Sequence, residues 1–341
     1  MSQWTCEMGS AGYDIDGFGS IGTVGTSYLP STISMAFVKS TLKIPSLRPG
    51  WDLDAWKYMP ASISTSAPTP LPVIVMAHGF GANKTMGLAL YAEAFSTEGY
   101  ACLVFDYRRW GASDGTPRSV LVVQDQLDDY RTVVAYARAQ AAFDGTRVII
   151  WGSSLSGAHC ITLSTDRTVN AVAALAQCPY TGMTPSLPLN MTCLKLASSA
   201  IADLVKQALG LQPVYIPVVS ESGTLGALTT PGTVSGMMAI CSSDVPYENR
   251  VSASSVLQLP PYQPRTKASQ ISCPLLIVLP TQDNLCLPDG AVEISKATDK
   301  CELVSLPCGH FDVYHGLSHH AESLSAQVKF LQKHVPISGL S

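Results

Sequence analysis

From Phe37 onward, apolar and polar positions begin to alternate. Val38, Ser40, Leu42 and Ile44 fall on one side of a two-residue period, and Lys39, Thr41 and Lys43 on the other. That period predicts a strand with one exposed face. Pro49-Gly50 marks a turn, and residues 51–59 read as the partner strand. A proline-rich surface connection (68–72) follows, and the pattern then changes. Residues 72–77 and 101–105 are short, unbroken apolar runs, as expected of strands buried on both faces of a parallel sheet. Between them, residues 86–98 predict a helix stopped by Gly99. Residues 119–142 form a long amphipathic stretch with Leu127, Tyr130, Val134 and Ala137 at helical spacing. Asp144-Gly145 turns the chain into another apolar run that ends at Trp151, and residues 171–176 supply the next strand.

Strand and helix patterns that alternate in this way indicate an α/β chain with a mainly parallel sheet. Such sheets bind their ligands beyond the carboxyl ends of the strands. The alternation stops between about Thr181 and Lys267, where a helix-like piece (194–209) lies among prolines and small, weakly polar residues. It resumes with a strand at 273–279, a helix at 289–297, a strand at 302–306 and a closing helix at 319–334. The organisation expected is an N-terminal arm (1–35), a core made of 36–180 and 268–336, and an insertion (181–267). The arm is rich in Gly, Ser and Thr, and reads either as a loose tail or as a segment whose aromatics lie on the core. The insertion reads either as a cap over the site or as a helical excursion packed on the sheet.

Composition narrows the function classes. Hydrophobic residues make up 46% of the 341 residues and charged ones 13%, which favours a large packed interior. The formal charge of -4 is not concentrated in runs, so nucleic acid is not an expected partner. No window approaches the length of a membrane span, and residues 1–25 lack the pattern of a secretory signal. The ten cysteines are scattered without a C-x-x-C pair. They read as small buried hydrophobes in a reducing, cytoplasmic compartment, and the two N-x-T sequons at Asn83 and Asn190 as chance matches.

The candidate chemistry centres on Gly152-Ser153-Ser154-Leu155-Ser156-Gly157, which follows the apolar run 148–151. An apolar strand, a glycine-flanked serine and a helix-compatible segment are the context of a nucleophile elbow, although Ser156 stands where the G-x-S-x-G pattern has glycine. Asp283 lies just beyond the strand ending at Leu279, and His310 follows the last strand. Serine, aspartate and histidine in this chain order, each at a strand end, are what the α/β-hydrolase fold requires: a mainly parallel central sheet flanked by helices, here with a helical cap insertion. In that reading His310 takes the Ser154 proton, and Asp283 fixes the imidazole tautomer. The N–H groups of Leu155 and Phe80 form the oxyanion hole. His78 reads as structural, and His315, His319 and His320 as surface groups with no metal-binding spacing, so neither metal nor cofactor is implied. Asp312 is a rival acid but lies only two residues from His310. Cys178 and Cys308 are possible nucleophiles that do not sit on an elbow.

His78-Gly79-Phe80, the loop from Asp106-Tyr107-Arg108 to Gly115, the elbow, Gln177-Cys178-Pro179-Tyr180 and the run from Gly309 to Tyr314 together resemble the α/β hydrolases of fungal secondary metabolism. More narrowly, they resemble the polyketide transferase group, related to X-Pro dipeptidyl-peptidase-like hydrolases. The resemblance implies a serine acyl-enzyme that takes an apolar acyl or polyketide chain from an ester or thioester, such as one held on a polyketide synthase. The acceptor is water in a hydrolase and an alcohol in a transferase, and some members of such pathways promote cyclisation or condensation instead. A non-catalytic binding protein of the same fold would commonly lack a triad member, and none is missing here. A peptidase would need an acidic group to hold the substrate's N-terminus, and the insertion has no acidic cluster to supply one.

Overall fold

The computed structural model describes residues 37–61, 70–182, 190–243 and 245–337. The N-terminal arm and the first part of the proline-rich connection lie outside the described residues. The exposed alternating strand is β1 (Phe37–Pro45), paired antiparallel with β2 (Asp52–Pro60) from Phe37 opposite Pro60 to Pro45 opposite Asp52. Their turn needs Gly50, whose φ of 78° lies in the left-handed region. The apolar runs become β3 (Leu71–Ala77), β4 (Ala101–Phe105), β5 (Phe143–Ser153) and β6 (Ala173–Gln177). A two-stranded ribbon, β7 (Tyr215–Ile216) and β8 (Val251–Ser252), belongs to the inserted segment. The main sheet ends with β9 (Leu275–Pro280) and β10 (Cys301–Leu306), giving the order β1-β2-β4-β3-β5-β6-β9-β10. From β4 to β10 every neighbouring pair is parallel.

Register brings the site together. Ala77 lies opposite Gly152, Ser153 opposite Gln177, Gln177 opposite Val278 and Leu306 opposite Pro280. The loops that follow β3, β5, β6, β9 and β10 therefore leave the sheet at one edge, its carboxyl edge. The helices α1 (Ala89–Thr97), α2 (Val123–Ala139) and α3 (Leu155–Leu163) flank the sheet. The inserted segment carries α4 (Met191–Ala208) and α5 (Thr233–Ala239), and α6 (Asp289–Ala297) and α7 (His320–His334) complete the flanking set. The buried Trp151 indole of β5 donates to Gln327 of α7 at 2.6 Å, and the Tyr91 hydroxyl of α1 reaches Ser323 of α7 at 3.0 Å.

Three local expectations are corrected. The first helix starts at Ala89 rather than Met86, because Gly87 takes a φ of 76° and a Cβ there would lie 2.6 Å from the Tyr314 ring. Asp144-Gly145 lies within β5 rather than before it. The pairing with β3 shifts between Leu71 opposite Phe143 and Val73 opposite Val148, and the Asp144 carboxylate accepts from Thr146 N at 2.9 Å in the interval. The inserted helix begins at Met191, capped by the Asn190 side chain, which accepts from Cys193 N at 2.9 Å.

Between β6 and β9, the inserted segment is tied down by a buried carboxylate. Asp203 of α4 accepts from Val214 N at 2.7 Å, from Ser254 N at 2.8 Å and from the Ser252 hydroxyl. A buried charge needs such donors, and these fix α4 to the chain on either side of the β7–β8 ribbon.

Candidate active site

Ser154 sits at the point where β5 becomes α3, with φ 57° and ψ −118°, a strained conformation for a residue with a side chain. Its neighbours hold it there. Ser154 N donates to Gln177 O at 2.9 Å, and its carbonyl accepts from Tyr180 N at 3.1 Å and Ala158 N at 3.2 Å. The turn has no room for side chains at two flanking glycines. A Cβ on Gly152 would lie 2.1 Å from Ser156 O, and one on Gly79 would lie 2.8 Å from the Ser154 Cβ. Ser156, the departure from the glycine pattern, has a structural use. Its buried hydroxyl donates to the His78 carbonyl and accepts from the Tyr107 hydroxyl, joining the start of α3 to the loop after β3.

Asp283 and His310 meet on the same edge. His310 Nδ1 donates to Asp283 Oδ2 at 2.6 Å, and Asp283 Oδ1 accepts from the backbone N–H groups of Leu285 and Cys286, each at 2.8 Å. Both side chains are buried. Burial works against a charged imidazole, but the sulfur atoms of Cys178 and Cys286 and the carboxylate of Asp283 outweigh it, and His310 is held well above the ordinary histidine range. Burial also pushes the Cys286 thiol up, which weakens that sulfur's share of the shift. His310 Nε2 faces Cys178 Sγ at 3.9 Å, and Ser154 Oγ faces Cys286 Sγ at the same distance. Ser154 and His310 line one cavity without a hydrogen bond between them.

The two expected oxyanion donors, Leu155 and Phe80, each follow a strand of the sheet's carboxyl edge. Leu155 is the first residue of α3, and the opening N–H groups of a helix have no carbonyl partner within it. Phe80 lies in the loop after β3, whose far end is pinned by Asp106. That carboxylate accepts from Lys84 N at 2.7 Å and from Lys84 Nζ at 2.6 Å, while Lys84 Nζ also meets Asp54 at 2.5 Å. Asp106 accepts from Ala112 N at 2.9 Å as well, and only glycine fits at 111, where a Cβ would strike the carboxylate.

The cavity at Ser154 is narrow, about 20 Å³, roughly the space of one water molecule. Its walls are largely apolar: Phe80, Met86 and Leu88 from the core, Leu228, Met237 and Ile240 from the inserted segment, and Leu285 and Phe311 from the acid and histidine loops. The inserted segment is fastened beside it. Gly236 of α5 packs on the Phe311 ring so closely that a Cβ would lie 2.2 Å away. Asn284 accepts from the Thr230 hydroxyl and donates to Pro231 O, both at 3.0 Å, just before α5.

The family model described as serine aminopeptidase, S33 (Hydrolase_4) matches residues 68–322, most of the chain. The chain belongs to the Hydrolase_4 family. Its fold is that of the α/β hydrolases, and it is an enzyme of that family. It is 37% identical over 269 residues to the quorum-quenching protein AidA of Acinetobacter baumannii, covering 78% of this chain and 88% of that protein. It is 26% identical to the polyketide transferase grgF of a Penicillium species, over 77% of this chain and 88% of that protein. The crystal structure of the alpha/beta hydrolase GrgF from Penicillium sp. sh18 has a TM-score of 0.74 at 24% identity, and the match covers 88% of this chain and all of that one.

Within this Hydrolase_4 site the structure brings Ser154, His310 and Asp283 to one edge, with Phe80 lining the same cavity and Leu155 next in chain after Ser154. Asp312 instead accepts from Gly309 N at 2.8 Å and shapes the histidine loop. His78 is buried, 3.0 Å from Gly79 O through Nδ1, and burial holds it below the ordinary histidine range. His320 is not the surface group expected. It is half-buried, packed edge-on against Tyr91 with ring centroids 4.9 Å apart. Two residues that the sequence reading did not bring to the site are there: Cys286, and Cys178 as a neighbour of His310. The nine described cysteines are free thiols.

Proposed function

We propose that the chain is a serine-dependent hydrolase that takes an apolar acyl group, of polyketide type, from an ester or thioester through an acyl-enzyme. One observation carries the reading: a serine held in a strained turn shares a narrow apolar cavity with a histidine whose other nitrogen is braced by a buried aspartate. In the first step His310 Nε2 takes the Ser154 proton as Oγ adds to the substrate carbonyl. The developing oxyanion is met by the N–H groups of Leu155 and Phe80. His310 then passes its proton to the leaving alcohol or thiol, which departs as the acyl–serine ester forms. Water enters, gives a proton to His310 and releases the acid, and Ser154 regains its proton.

Residues 181–267 act as a cap in this account, since Leu228, Met237 and Ile240 close the cavity from that side. The largely apolar walls of this cavity also suit an alternative acceptor. An alcohol bound under the cap would exclude water and turn the same acyl-enzyme to transfer. Delivery of the acyl chain as a thioester on a polyketide synthase, within fungal secondary metabolism in the cytoplasm, fits the same chemistry.

The test is a panel of acyl thioesters and esters of increasing chain length, offered with and without an alcohol acceptor. Wild type should release acid or ester product, and Ser154→Ala should not. Equal turnover by Ser154→Ala would overturn the proposal, and the ratio of acid to ester product decides between water and alcohol.

A further inference from the structure

Cys286 has no part in the acyl chemistry, yet its buried thiol faces the reacting groups. The donor atoms of Asp283, Cys286 and His310 all lie within 4.8 Å of one another, and Cys286 Sγ stands 3.9 Å from Ser154 Oγ. These are zinc ligand types. When a thiolate and an imidazole both ligate a tetrahedral zinc, bonds of about 2.3 and 2.0 Å place sulfur and nitrogen roughly 3.5 Å apart. Small side-chain rotations close that gap here.

Two further features suit a cation. A histidine that ligates through one nitrogen almost always donates its other N–H to a carboxylate, and His310 Nδ1 already donates to Asp283 at 2.6 Å. Charge also balances: the Cys286 thiolate and the Asp283 carboxylate together offset a divalent ion, so no net charge is buried.

We propose that Cys286 Sγ, His310 Nε2 and Ser154 Oγ form a site for zinc that closes the active centre. Binding forms a Zn–S and a Zn–N bond and releases to solvent the Cys286 thiol proton together with any proton carried on His310 Nε2. The metal occupies the Nε2 lone pair that would accept the serine proton. Inhibition rests on the hydrolase reading, whereas binding rests on the geometry alone. The thiolate selects zinc or cadmium over magnesium and calcium, which prefer oxygen ligands.

The experiment uses chelator-treated full-length protein titrated with Co²⁺, a spectroscopic stand-in for zinc. Wild type should show a thiolate-to-cobalt charge-transfer band in the near ultraviolet that one equivalent of Zn²⁺ abolishes, and Mg²⁺ leaves unchanged. Cys286→Ala and the milder Cys286→Ser should both lose the band and weaken Zn²⁺ binding by about a hundredfold, while Cys178→Ala keeps it. Zinc should inhibit wild-type turnover reversibly, with relief by chelator. Absence of the band in wild type, or its survival in folded Cys286→Ser, would overturn the proposal. Because the band is read without substrate, its outcome is separable from failure of the hydrolase reading.

Discussion

His310 Nδ1 lies 2.6 Å from Asp283 Oδ2, and both groups are buried. If His310 serves as the base it must be neutral, and its pKa lies above the ordinary 6.5. The expected kcat/KM therefore rises with pH through an apparent pKa above 6.5 rather than at it. Asp283→Asn removes the charge that favours the imidazolium, so the acid limb should move to lower pH while activity falls by about 10⁴-fold. A pH profile of both proteins checks the sign. A limb that stays in place in Asp283→Asn would contradict the assignment.

Gly79 and Ser154 are in near contact, with room for no Cβ between them. Gly79→Ala should push the loop that carries Phe80 away from the elbow and misplace one oxyanion donor. The expected loss in kcat is about 10²- to 10³-fold, with KM changed little. Steady-state kinetics on one substrate suffice to check it.

Ser156 stands where the elbow pattern would have glycine, and its hydroxyl bridges Tyr107 and the His78 carbonyl. Ser156→Ala and Ser156→Gly both leave these buried groups short of a partner. Either should cost about 1–3 kcal/mol in urea unfolding. A variant as stable as wild type would mean that the bridge carries no net stability.

Lys84 is buried between Asp54 and Asp106. Lys84→Met removes the buried cation between the two carboxylates and leaves only the exposed Lys43, 3.3 Å from Asp54, beside them. The expected destabilisation is about 3–5 kcal/mol, read by chemical denaturation, with part of the activity lost because the same contacts hold the loop after β3.

The sheet and the placement of the three candidate site residues were legible because their signals are local. Residues 101–105 read as a buried strand, and Ser154, Asp283 and His310 each follow an apolar run in the order that the fold demands. Cys178 and Cys286 were not legible as neighbours of His310. Their approach depends on the register that sets Gln177 opposite Val278, and no local pattern carries it. Lys84 likewise gave no signal, since its partners come from two other strands' ends. The sequence of the inserted segment reads either as a cap or as a helical excursion, and it does not mark Leu228, Met237 and Ile240 as the residues that line the cavity. Leu194, Ile201, Leu204 and Val205 of α4 are exposed, although their spacing resembles a buried face. Whether an amphipathic face is covered depends on tertiary packing, not on its period.

The central claim is that Ser154 is an activated nucleophile, and a serine-reactive fluorophosphonate tests it most directly. Intact mass and peptide mapping should show one adduct, on Ser154, in wild type and none in folded Ser154→Ala. His310→Ala should label far more slowly. An unlabelled wild-type protein, or an adduct that persists in Ser154→Ala, would contradict the account.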